Sequence, residues 1–164
     1  MSLDPSHEPA AVQARYARRN AVADAQHYSL YASASALQAQ QERLRAMVQL
    51  WRTHGWHSLA GLHITEVGCG TGGNLHDLVR LGAAPQRLQG LELLTERAAQ
   101  ARATLPATLA IHAGDAASAT IAPGSQQAVL AFTLFSSLLD APFRIALAQQ
   151  MWQWVVPGGG VLVY

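Results

Sequence analysis

The stretch ITEVGCGTGGNL, residues 64–75, constrains the fold more than any other part of the chain. An apolar, strand-like run passes a carboxylate, Glu66, and enters a loop with four glycines in six residues. From Asn74 to Leu81 the pattern turns helical, with Leu75, Leu78 and Val79 facing inward and Gly82 at the end. A glycine loop between a strand and a helix serves three ends. It turns at positive φ, it lets backbone lie against a ligand where a Cβ would intrude, and it allows close helix–strand packing. In open sheets built from such units, ligands sit beyond the carboxyl ends of the strands, where the strand order reverses. The free N–H groups of the following helix face that crevice.

The rest of the chain continues the alternation. RLQGLEL (87–93), TLAIHAG (108–114), QAVLAFTLF (127–135) and VLVY (161–164) read as further strands. Between them, Thr95 starts a helix that runs to about Thr104, ahead of Pro106. Asp140 and Pro142 open another that ends near Trp154, and Pro157 to Gly160 read as a turn into the fifth strand. The alternation predicts an α/β fold, a parallel sheet with helices on both faces, and the apolar strands fit burial on two sides. Two helices precede it, over about residues 12–28 and 33–54. In the second, Leu37, Leu44, Met47, Val48 and Trp51 mark one buried face, and Gly55 stops it. The expected division is an N-terminal helical segment, 1–58, and one sheet domain, 59–164.

With 164 residues, a formal charge of +1 and 13% charged residues, the chain suits one globular domain. The near-neutral balance argues against nucleic acid or a membrane surface as the main partner. No segment approaches the roughly 18 apolar residues of a membrane span, and the N-terminus lacks the apolar core of a signal peptide. The single cysteine, Cys69, excludes an internal disulfide, so cytoplasm is the expected location. Every basic residue is Arg and none is Lys. Together with abundant Ala, that reads as the coding bias of a GC-rich bacterial genome.

Two ligand classes fit the loop. Gly68, Gly70 and Gly73 satisfy G-x-G-x-x-G, and Glu92 follows at roughly the 20-residue spacing of a dinucleotide's ribose-binding acid. Gly68, Gly70 and Gly72 equally satisfy G-x-G-x-G. Glu66 separates the two. A carboxylate two residues before the loop would repel a pyrophosphate, and it suits a ligand with a cationic end and no phosphate, such as S-adenosylmethionine (SAM).

TEVGCGTGGNL resembles motif I of the class I SAM-dependent methyltransferases, an acid followed by x-G-x-G-x-G, and the chain looks like a bacterial enzyme of the type 11/12 kind. The likeness continues in order over about residues 60–164. Glu92 in GLELL matches the acid that holds the ribose hydroxyls, and Asp115-Ala116 in AGDAAS matches the pair beside the adenine. FTLFSSLLD fits the segment lining the transfer site, and VVPGGGVLVY fits the turn into strand five. The resemblance implies a Rossmann-like doubly wound sheet of order 3-2-1-4-5. It also implies SAM as cofactor, with Glu66, Gly68, Cys69, Gly70, Gly72, Asn74, Glu92, Leu93, Asp115, Ala116 and Phe132 as the residues that hold it. The family's sheet has seven strands, the last two forming a hairpin over one edge. This chain stops in its fifth, which predicts a missing C-terminal portion and an edge prone to pairing. The N-terminal stretch is similar to methyltransferases of surface-polysaccharide and natural-product pathways. The expected substrate is therefore a small molecule or glycan, the N-terminal helices serve as a lid over it, and a homodimer is the one protein partnership envisaged.

Methyl transfer asks a protein mainly for orientation and exclusion of water, with a general base only if the acceptor loses a proton. The candidates for that base are Ser136, Ser137 and Asp140, then His112 and Tyr28; Arg18 or Arg19 could meet the cofactor's carboxylate. Plainer roles compete. Asp115 could cap a turn, Ser136 and Ser137 could end a strand, and the arginines could form a solvated helix face. Cys69 reads as a small loop filler and not as a nucleophile, and His54 and His57 lack the further ligands of a metal site. Trp152 and Trp154 cannot share a helix face, so one packs in the core. An NAD(P)-dependent oxidoreductase and a non-catalytic truncated nucleotide-binding module stand as the rival functions.

Overall fold

The computed structural model describes residues 7–21 and 29–164. Its elements run α1 (His7–Asn20), α2 (Ala34–Thr53), β1 (Ile64–Val67), α3 (Gly73–Arg80), β2 (Leu88–Glu92), α4 (Thr95–Thr104), β3 (Ala110–Ala113), β4 (Gln126–Ala131), α5 (Ala141–Trp154) and β5 (Val155–Val163). The five strands form one sheet of order β3-β2-β1-β4-β5, and every pairing is parallel. The fold is Rossmann-like α/β, as the alternation and the family resemblance imply. From β1 the chain moves outward through α3 to β2 and through α4 to β3. It then crosses back to β4 and moves the other way through α5 to β5. Because such crossovers are right-handed, α3 and α4 lie on one face of the sheet and α5 on the other. The order reverses between β1 and β4, and a crevice opens at their carboxyl ends.

The central strands β1, β2 and β4 are covered on both faces, whereas β3 at one edge buries only Ile111, short of the two-sided burial its apolar run predicts. Ile64, Leu75, Leu78, Val129, Leu130 and Met151 are fully buried. Trp154 joins this core, while Trp152 is exposed on the opposite face of α5. Residues divide into two compact units, one of Leu59–Tyr164 together with the start of α1 up to Gln13, the other Ala14–Ser58. Within the second unit Ser33 caps α2, its side chain accepting from Ala36 N. Met47 and Trp51 are buried there as their spacing predicts, but Leu37 is exposed. Leu37 lies in the first turn of α2, ahead of the part that is packed. No helix among the described residues is long and apolar enough to cross a membrane.

Three elements differ from their predicted spans. First, α1 begins at His7 and not near residue 12, because Glu8 and Val12 are both buried on one of its faces; the predicted continuation over 22–28 lies outside the described residues. Second, β4 ends at Ala131, short of the predicted 135, because Thr133 takes a left-handed backbone (φ 58°) and turns the chain out of the ladder. Third, Pro157–Gly160 do not form a turn ahead of β5 but lie within it. Gln126 pairs with Val155 and Ala128 with Gly160, so the proline and glycines bulge out opposite Gln127. An edge strand tolerates that proline because its missing N–H breaks no inner ladder.

Leu130 is central in β4 and has no solvent exposure. Leu130→Ala should cost about 2–5 kcal/mol of stability, whereas Ile145→Ala on the exposed face of α5 should stay within about 0.5 kcal/mol. Urea denaturation monitored by circular dichroism checks the pair.

Candidate cofactor site

The loop after β1 is stitched to the end of β2. Gly68 N and Cys69 N both donate to Leu91 O, at 2.8 and 3.1 Å. One residue further on, Glu92 reaches back with its side chain. Its Oε2 accepts from Gly70 N at 2.8 Å, and its Oε1 accepts from Leu94 N at 2.8 Å. Gly114 N in turn donates to Glu92 O at 2.9 Å, which brings the end of β3 alongside. Gly68, Gly70, Glu92 and Asp115 are thereby gathered at the carboxyl ends of three adjacent strands. Glu92 is 6% exposed, and each carboxylate oxygen, with two lone pairs, retains acceptor capacity beyond these bonds.

Gly70 and Gly72 need to be glycine for different reasons. Gly70 has φ 58°, and a Cβ placed on it would meet no protein atom, so it would project into open space beside Glu92. Gly72 has φ 88° at the start of α3, and a Cβ there would collide with Leu105 of the segment after α4. Gly73 carries neither constraint. The two readings of the loop are thus distinguished: the positions that demand glycine follow G-x-G-x-G, not the dinucleotide spacing.

Glu66 lies in the middle of β1, paired in register with Gly90 and Leu130, and is fully buried. Asn74 Nδ2, in the first turn of α3, donates to its Oε1. The carboxylate therefore sits beneath the loop and holds the start of α3. Cys69 is buried between the two acids. Burial pushes its thiol far above the ordinary range, and the Glu66 and Glu92 carboxylates add repulsion against a thiolate. A thiol held protonated in this way suits a packing role.

Asp115 follows β3 and caps a short 3-10 turn, Ala116–Ser118, by accepting from Ala117 N at 2.9 Å. It keeps its second oxygen beyond that bond. Asp115 and Ala116 also line a cleft of about 320 Å³ that runs along Gln89, Leu91 and His112 on one face of the sheet. Leu93 is half-buried beside Glu92. Phe132 is buried where β4 ends, edge-on to Tyr164 at 6.4 Å between ring centroids.

The candidate bases are not all brought together. Ser136 and Ser137 lie in a 3-10 turn, Phe135–Ser137, just beyond β4, and Ser136 Oγ donates to Thr133 O at 2.9 Å. Asp140 is the N-cap of α5, with Oδ1 accepting from Phe143 N at 2.6 Å. His112 is on edge strand β3, separated from β4 by β2 and β1. Tyr28 lies outside the described residues. Arg18 and Arg19 are in the last turn of α1, within the other unit, where the Arg19 guanidinium lies 4.7 Å from the centre of the Tyr16 ring. Two features escape sequence reasoning. The bond between Glu66 and Asn74 has no pattern signal, and neither does the double backbone clamp of Glu92.

Gly72→Ala should destabilise the fold by about 1–3 kcal/mol through strained backbone and overpacking against Leu105, while Gly73→Ala should be neutral or slightly stabilising; chemical denaturation of both variants tests this. Cys69 should resist a thiol reagent such as DTNB in the native protein at pH 8 and react at once in urea.

Among known proteins, the family model described as a methyltransferase domain matches residues 64–159, more than half of the chain. No curated protein matches the sequence significantly. Several solved structures share the fold. A SAM-dependent methyltransferase from Mesorhizobium loti superposes with a TM-score of 0.61 and 23% identity, covering 82% of this chain and 54% of its own. CalS10, an amino pentose methyltransferase of calicheamicin biosynthesis from a Micromonospora, gives 0.62 and 22%, covering 92% and 55%. Phosphoethanolamine N-methyltransferase 1 from Haemonchus contortus gives 0.72 and 12%, covering 98% and 33%. The chain thus spans about half the length of the first and second of these and a third of the last. With the loop, the strand order and the matched residues in agreement, the chain belongs to the methyltransferase domain family.

Proposed function

We propose that the chain binds SAM across the carboxyl ends of β1, β2 and β3 and directs its methyl group to a small-molecule or glycan-type acceptor. One observation carries this reading. Two buried carboxylates, Glu66 and Glu92, bracket the glycine loop, one below it and one bonded to Gly70 N. Glu92 suits the ribose of either ligand class, but Glu66 would repel a pyrophosphate laid along that loop. A nucleoside with an ammonium, a sulfonium and ribose hydroxyls meets attraction and acceptors instead.

The residues divide the work. Glu92 accepts from the ribose hydroxyls with the lone pairs left over from Gly70 and Leu94. Asp115 accepts from the adenine's exocyclic amine, and Ala116 N–H meets the ring. Gly70 lets backbone close on the ligand, Gly68 and Gly72 let the loop pack against Leu134 and Leu105, and Cys69, Asn74 and Leu93 shape the walls. Glu66 adds a negative field beneath the loop. Phe132 and Leu138, both buried beyond β4, exclude water from the transfer site. SAM, when bound, supplies a methyl carbon already activated by its sulfonium, so orientation is the main task left to the protein. Where the acceptor must lose a proton, Ser137 and the second oxygen of Asp140 are the groups nearest in sequence to the transfer segment. A small polar acceptor is supported by the solved neighbours whose names specify an amino pentose and phosphoethanolamine, and by the resemblance of the N-terminal stretch.

Calorimetric titration with S-adenosylhomocysteine should give a dissociation constant in the micromolar range, about −8 kcal/mol, and NADH should give no heat. Glu92→Ala should weaken the first by more than tenfold, over about 1.4 kcal/mol. Unchanged affinity in that variant removes the ribose assignment, and saturable NADH binding removes the reading as a whole.

A further inference from the structure

The segment after β4 holds the candidate transfer residues, and it is fastened at three places. At its start, Thr133 N donates to Tyr164 O at 2.8 Å, tying it to the end of β5. Next, Leu134 packs against Gly68, so closely that a side chain at Gly68 would run into it. At its far end, Leu139 N donates to the Glu8 carboxylate, Oε1, at 2.7 Å. Glu8 belongs to the first turn of α1 and is 131 residues away in sequence.

The third fastening is of an unexpected kind. Leu139 is two-thirds exposed (66%), so its side chain does little to hold the chain there. Leu138 beside it is buried, and the backbone bond to Glu8 adds a directional hold at Leu139 itself. Glu8 itself is 8% exposed, and Val12, one turn along the same helix face, is 6% exposed. A carboxylate is a costly group to bury on a docking face, where an apolar residue would do the packing at less cost. What a carboxylate adds is a directional acceptor aimed at one amide. The segment needs such a hold, since Thr133, a β-branched residue, sits at φ 58°. Strain of that sort persists only where surrounding contacts fix it, and it concentrates at ligand sites.

We infer that Glu8 is a positioning residue: from α1 it fixes the segment 133–139 against the glycine loop, in the shape the cofactor and acceptor require. The inference rests on the methyltransferase reading for its purpose, but not for the contact itself. The β4–α5 connection is then set by the N-terminal helix as well as by the sheet. A change in the docking of residues 7–13 reaches the cofactor loop through Leu139, Leu134 and Gly68.

Amide hydrogen exchange on the ligand-free chain, with S-adenosylhomocysteine titrations, tests this on Glu8→Ala, Glu8→Gln and Val12→Ala. In Glu8→Ala, exchange at Leu138–Asp140 should rise at least tenfold while the amides of β1 keep their protection, and ligand affinity should fall severalfold. Glu8→Gln retains a carbonyl acceptor and should restore most of both. Val12→Ala loosens packing but leaves the acceptor, and should change the Leu139 amide less than Glu8→Ala does. The inference is overturned if Leu139 exchange is unaltered in Glu8→Ala, if protection falls equally across β1, or if Glu8→Gln fails to rescue. It is overturned as well if exchange rises but affinity is unmoved, since the hold then does not serve the site. Should the unaltered chain bind no S-adenosylhomocysteine, the functional reading fails, and the contact is judged on exchange alone.

Discussion

The architecture of the site depends on a single carboxylate accepting two backbone N–H groups. Through Gly70 and Leu94, Glu92 joins the loop after β1 to the loop after β2. Charge-assisted bonds of this type are among the stronger ones available to a side chain. They also solve a local problem. A loop rich in glycine gains conformational freedom that must be removed before a ligand can be held. Glu92 removes it from one side, Leu91 O from below, and Leu134 from the face opposite. The loop is prepared in advance, so less of the binding energy goes into ordering it.

Much of this was legible in residue order. The change from helical to strand spacing located the sheet, and the apolar character of the strands announced cover on two sides for β1, β2 and β4 but not for β3, which buries only Ile111. Glu92 stood out because an acid at the end of a second strand has a chemical use. The glycine spacing alone did not decide between Gly72 and Gly73; Glu66 did, and the structure adds a packing reason the spacing could not hold. Leu105, which would collide with a side chain at Gly72, comes from beyond another helix. Spacing along one segment carries no information about a neighbour from elsewhere.

The same limit hides the partners of two of the buried acids, Glu66 and Glu8. Glu66 reads as an acid beside a ligand, and only the structure shows that Asn74 bonds to it. Glu8 reads as an ordinary acid in a polar N-terminus, since nothing local reports that Leu139 lies against it. The early end of β4 is invisible for another reason. LAFTLF is apolar but for Thr133, a strand-favouring residue, and only its backbone shows that the ladder stops there. By contrast, Asp140 ahead of Pro142 signals a helix start by itself, because both the cap and the proline act on their immediate neighbours.

The bulge in β5 has a consequence for how the molecule behaves in a crowded solution. A flat outer strand is a template on which like molecules can stack, and charged residues, the usual deterrent, are missing from VVPGGGVLVY. Here Pro157 and the glycines after it throw the first half of the strand out of line. Only the short stretch from Gly160 to Val163 pairs in unbroken register. Four residues are fewer than the roughly six or seven that seed a growing stack, so the irregular geometry shortens the stretch of β5 that a neighbour could copy.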